Sequence, residues 1–81
     1  PQPRQDDEGD WHLDLRGLQP PQPFVATMRL IESLRADAAV IHLQLDRDPL
    51  PLYAELAARG WRAERIDAGS SEVRLQLTRL G

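Results

Sequence analysis

WHLDLRGLQPPQPFVATMRLIESL, residues 11–34, changes period part-way along, and that change decides the fold. Trp11, Leu13 and Leu15 alternate with His12 and Asp14, the period of two of a half-buried strand. Gly17 permits a turn. Pro20, Pro21 and Pro23 follow, and then Phe24, Met28, Ile31 and Leu34 recur with Thr27 at helical spacing, while Arg29, Glu32 and Arg35 fall elsewhere on the wheel. A strand, a rigid turn and an amphipathic helix of about four turns are predicted in that order.

A second alternation places Ala39, Ile41, Leu43 and Leu45 on one face and Val40, His42 and Gln44 on the other, a second strand. Asp48-Pro49 reads as a helix start, with the Asp side chain as N-cap and the proline at the first helical position, where its missing N–H costs nothing. Leu52, Tyr53 and Leu56 form the buried stripe of this second helix. Gly60 suits the left-handed residue that closes it, just after Arg59, whose charge suits a helix C-terminus. Two further strands, about 61–67 and 72–79, are joined by a turn at Ala68-Gly69-Ser70-Ser71. The predicted order is β-α-β-α-β-β, a two-layer α/β sandwich of the α+β kind. Its four-stranded mixed sheet carries both helices on one face and leaves the other wet.

The 81 residues make one domain, 11–81, and a chain this short buries only about 60% of the surface its unfolded form exposes. Residues 1–10 hold two prolines, a glycine and an Asp-Asp-Glu run without an apolar side chain. They are expected to be a disordered lead-in or a linker. There is no cysteine, so neither a disulfide nor a thiolate metal site supports the core. All ten basic residues are arginine, as in the coding of a GC-rich bacterial genome, and thirteen acids give a net charge of -3. A net acidic chain lacks the cationic surplus that supplies most nonspecific nucleic-acid affinity, and no strand carries an aromatic stacking platform, so RNA and DNA are set aside. No apolar run approaches the roughly 18 residues of a membrane span, and residues 1–10 contain no signal-peptide core. The expected location is the cytoplasm.

Leu13-Asp14-x-x-Gly17-Leu18-x-x-Pro21-x-Pro23, at the head of this topology, resembles the TusA/SirA-like sulfur-carrier family. Members of that family open with a Leu-Asp pair, a glycine and a Cys-Pro-x-Pro box at the start of the first helix, and the cysteine carries a persulfide sulfur. Pro20 stands at the matching position here, and a sulfur carrier needs a thiolate. Asp14, Gly17, Pro21 and Pro23 therefore carry over as scaffold positions only. A closer resemblance is to an uncharacterised bacterial family of TusA-like domains that lack the cysteine and carry a second box near Asp-His-Asp-Pro-x-Pro-Leu before the second helix. That box reads Asp46-Arg47-Asp48-Pro49-Leu50-Pro51-Leu52 here, with Arg47 at the histidine position. The resemblance implies a small accessory domain, in some members joined to or encoded near haemerythrin-like and other metal- or redox-related proteins.

Four constellations remain. Helix N-termini attract anions, but the prolines at 20, 21 and 23 and at 49 and 51 remove the donors a phosphate would need. His12 and His42 fall at polar positions of neighbouring strands, with Asp14 or Gln44 expected nearby; two imidazoles make a sparse metal or haem site. Asp46 and Asp48 flank Arg47 without the separated environments that acid–base catalysis requires. The fourth is recognition. The open sheet face presents Arg74, Gln76 and Thr78 beside the histidines, and the loops 16–23 and 46–51 lie at the strand ends where α/β sheets bind ligands.

The sequence thus points to a non-enzymatic accessory domain that binds a protein partner through Arg16, Gln19, Gln22 and Arg47, with Asp48 and Pro49 as structural residues. It calls for no cofactor. The alternative is a metal- or haem-linked redox accessory domain using His12 and His42.

Overall fold

The computed structural model describes residues 2–34, 39–66 and 72–80. Its elements run β1 (Arg4–Gln5), β2 (Trp11–Asp14), α1 (Gln22–Ser33), β3 (Val40–Leu45), α2 (Leu50–Ala58), β4 (Trp61–Ile66) and β5 (Val73–Arg79). From β2 onward this is the expected β-α-β-α-β-β order. The strands lie side by side as β1-β2-β3-β5-β4, with β2 parallel to β3 and every other pairing antiparallel. Parallel neighbours need a crossover, and α1 supplies it. The turn expected at Ala68–Ser71 lies outside the described residues.

The sheet has five strands where four are expected. The extra one comes from the lead-in, which is ordered by polar turn chemistry rather than by apolar burial. Asp6 accepts from the main-chain N–H groups of Glu8 at 2.9 Å and Asp10 at 3.0 Å, and Gly9 takes a φ of +91° that reverses the chain. Arg4 and Gln5 then pair with His12 and Trp11 along the outer edge of β2.

The core follows the alternation. Leu13, Leu15, Ile41, Leu43, Leu45, Trp61, Val73, Leu75 and Leu77 are buried on the helix side of the sheet. They meet Thr27, Met28, Leu30 and Ile31 of α1 and Leu52 and Leu56 of α2. Each fully buried leucine contributes about 1.5–3 kcal/mol. Phe24 and Leu34, expected in the first stripe, are only partly buried, and Leu30 takes the core position instead. Among the described residues Thr27 is the buried polar side chain; its hydroxyl donates to the Pro23 carbonyl at 2.9 Å.

The second helix starts differently from expectation. Pro49 occupies the cap position, α2 begins at Leu50, and Asp48 makes no capping bond. The prolines explain why. Pro51 offers no N–H for a capping carboxylate, and the Leu52 N–H is taken by the Pro49 carbonyl at 2.9 Å. The Asp48 carboxylate instead accepts from the Tyr53 hydroxyl at 2.5 Å. Gly60 closes the helix as expected, with φ +81° and its N–H bonded to the Ala57 carbonyl at 3.1 Å.

Candidate functional site

Because β2 and β3 run parallel, the loops that follow them leave the sheet at the same edge. Leu15 extends the ladder by one bond, N–H to the Gln44 carbonyl at 2.8 Å. Gly17 then turns the chain with φ +82°, a conformation that L side chains rarely adopt, and donates its N–H to Asp46 Oδ2 at 2.6 Å. That bond ties the first loop to the second across 29 positions of sequence. Between the tied loops lies a cleft of about 290 Å³. Leu15, Leu18, Phe24, Leu45 and Leu52 line it together with Pro20, Pro21, Pro23, Pro49 and Pro51, and Asp46, Arg47 and Asp48 stand along it as the charged part of the lining.

The prolines shape this cleft by what they lack. At the first turns of both helices they replace N–H donors with apolar rings, so the strand-end edge that receives anions in many α/β proteins is apolar here. Phe24 and Leu52 were expected as core stripe residues. The helices start far enough apart that both also face the cleft.

Of the four residues expected to touch a partner, Arg47 lines the cleft. Arg16 is exposed and turned back onto Asp14, its Nε donating to Oδ1 at 2.8 Å and its Nη2 to Oδ2 at 2.7 Å. This fork holds the Asp14 carboxyl down at about 2, against the smaller opposing effect of desolvation, and raises the arginine further. Gln19 is exposed outside the cleft, and Gln22 lines a second groove with Val25 and Arg29. Gly17 makes the expected turn and Pro21 and Pro23 stand at the entry to α1, but Pro49 takes the cap position of α2 in place of the expected first helical position, and Asp48 makes no capping bond. Its acceptance of the Tyr53 hydroxyl adds to burial in pushing that phenol up to about 12, with burial the larger cause.

On the open sheet face His12 pairs in register with His42, and their rings stack with centroids 4.7 Å apart and 19° between planes. The partners are not Asp14 and Gln44. His12 Nε2–H donates to Asp6 Oδ2 at 2.7 Å, and His42 Nε2–H donates to Asp10 Oδ2 at 2.9 Å. Asp14 is held by Arg16 instead, and Gln44 donates to Glu72 at 3.4 Å. The His12 hydrogen bond is also the main reason the Asp6 carboxyl lies below its ordinary range. The Nε2 of each imidazole is thus engaged by its own carboxylate, and among the described residues no three metal-ligating side chains converge. Asp6 and Asp10 were missed because an acidic run without apolar neighbours reads as solvated chain.

The family model described as Uncharacterized conserved protein (DUF2249) matches residues 12–79. The chain belongs to this family. No curated protein and no solved structure matches it. The matched span of the DUF2249 domain contains both loops, the cleft between them and both histidines. Asp6 and Asp10 precede it. Among the described residues no helix of the domain is long and apolar enough to cross a membrane.

Proposed function

We propose that this DUF2249 domain is a non-enzymatic accessory domain on a TusA-like scaffold, which docks a protein partner at the edge framed by loops 16–23 and 46–51. The partner's apolar side chains enter the cleft, and Arg47 contacts it from the rim. The observation that carries this reading is the apolar lining at the C-terminal ends of the parallel strands, the edge where this architecture places its binding sites. An apolar pocket bordered by a few charged groups is the usual form of an interface anchor site, and arginine is enriched at interfaces. Pro20 stands where the TusA-like box has its sulfur-carrying cysteine, and this chain contains no cysteine at all. What such a scaffold keeps without its thiolate is the docking edge.

The test is affinity capture of proteins from the source cell by the immobilised domain, with Leu18→Glu and Arg47→Ala on the cleft and Gln76→Ala on the open face as control. Circular dichroism confirms that each variant is folded. The reading expects a partner that wild type and Gln76→Ala retain and that both cleft variants lose. Retention by Leu18→Glu and Arg47→Ala alike would overturn it.

A further inference from the structure

The far edge of the sheet is β4, which pairs only with β5 among the described strands. It is six residues long and exposes Arg62, Glu64, Arg65 and Ile66. None of its three charged side chains has an ion-pair partner among the described residues. The Gly60 carbonyl accepts from the Leu80 N–H at 2.8 Å, across the same pairing. Main-chain groups alternate sides along an antiparallel strand, so the even-numbered residues of β4 turn theirs toward β5. Trp61, Ala63 and Arg65 turn theirs outward, and their N–H and C=O groups form an open template for another strand.

We infer that a second copy of this chain pairs with β4, antiparallel to it, about a twofold axis at Ala63. The charges choose this register. With Ala63 opposite Ala63, Arg62 of each copy stands opposite Glu64 of the other on the open face, and Trp61 stands opposite Arg65 on the helix face. Centring the axis on Arg62, Glu64 or Arg65 would instead set identical charges face to face, which destabilises a strand pair. Ala63 has outward main-chain groups, so the axis falls on a hydrogen-bonded pair, and the flanking positions bring the total to about six main-chain bonds. Arg62 and Glu64 then occupy the non-bonded sites, where side chains of opposed strands approach most closely. The short side chain at the axis lets the backbones meet. The helix that packs on β4, α2, exposes the small side chains Ala54, Ala57 and Ala58. The interface is isologous, as a twofold dimer requires.

A strand-edge interface of this size lies at the weak end of specific association, with dissociation on the order of 100 µM. Sedimentation equilibrium over a concentration series should show the mass rising from 9.2 kDa toward the dimer. Arg62→Glu places two Glu–Glu pairs across the axis and should weaken the dimer by about thirtyfold, as should Glu64→Arg. The double variant Arg62→Glu/Glu64→Arg restores opposite charges and should return within about threefold of wild type. Ala63→Pro removes an outward N–H that serves no bond within the chain and should abolish dimerisation, with near-native circular dichroism showing that the domain still folds. A mass that stays monomeric at millimolar concentration would overturn the inference, whether or not β4 pairs with some other chain. So would a dimer indifferent to Arg62→Glu, or a double variant no better than the singles.

Discussion

His12 and His42 stack ring on ring at 4.7 Å, and each donates to a carboxylate of the turn at residues 6–10. A segment with no apolar side chain to bury is thereby fixed across the face of the sheet that the helices leave open. Two imidazoles brought together by the parallel register of β2 and β3 act as posts, and Asp6 and Asp10 fasten to them. Asp6→Ala and Asp10→Ala together should release the strand β1. Amide exchange at residues 4–10 should then speed up severalfold while the exchange of β3 and β5 stays the same, because local openings there cost far less than global unfolding. Unchanged protection at residues 4–10 would show that the β1 ladder alone holds the arm.

Gly17 and Asp46 bind the two loops of the cleft through one bond of 2.6 Å. Gly17→Ala forces an L side chain into a φ of +82°, although a Cβ there would meet nothing within 4 Å. Conformational strain rather than a clash sets the cost, about 1–2 kcal/mol. Asp46→Ala leaves the Gly17 N–H to water and should cost roughly 1 kcal/mol. Urea denaturation should show both as lower midpoints at unchanged slope. Since the alanine backbone no longer presents its N–H in the same place, the double variant should cost less than the sum of the two.

The strands were the legible part of this sequence. The runs 39–45 and 73–79 alternate without a break, and the same alternation put His12 and His42 on one face. What sequence does not contain is the pairing that sets them side by side, or the turn that brings Asp6 and Asp10 over them. A two-residue strand held by carboxylates has no hydrophobic signal. Asp48 was misread because Asp-Pro has the chemistry of a helix start, whereas the second proline at 51 had already removed the donor its carboxylate would serve. The cleft was hidden for a different reason. Phe24 and Leu52 have helical spacing whether they face the core or the gap between the two helix starts, and only the separation of the helices decides. Arg16 and Gln19 sit on the expected loop and Gln22 opens α1, but the fork from Arg16 to Asp14 is a matter of side-chain direction that spacing cannot fix.

Asp14 should titrate near 2 in the folded domain. Its folded value lies below the ordinary carboxylate value, so the stabilisation it gives is present above about pH 4 and is lost as pH falls through about 2. The side chains of Asp14 and Arg16 are about half exposed, and solvent screens the pair, so the loss in overall stability should be small. Carbon-detected NMR of the side-chain carboxyl measures the midpoint directly. Arg16→Ala should return it to the usual range for aspartate, and an unmoved midpoint would show that Arg16 is not its cause.

Tyr53 is the sole tyrosine of the chain, so its ionisation can be followed by tyrosinate absorbance without assignment. Burial and the bond to Asp48 both favour the neutral phenol and place its midpoint at about 12, whereas Arg65 acts weakly in the opposite direction. The folded value lies above the unfolded one, near 10, so this stabilisation is fully present below pH 10 and is lost as pH rises through about 12. Asp48→Asn keeps an acceptor for the hydroxyl but removes the negative charge beside it. The midpoint should fall by a fraction of a unit to about one unit and should remain above 10, because burial is the larger cause. A fall all the way to 10 would instead assign the shift to the Asp48 charge.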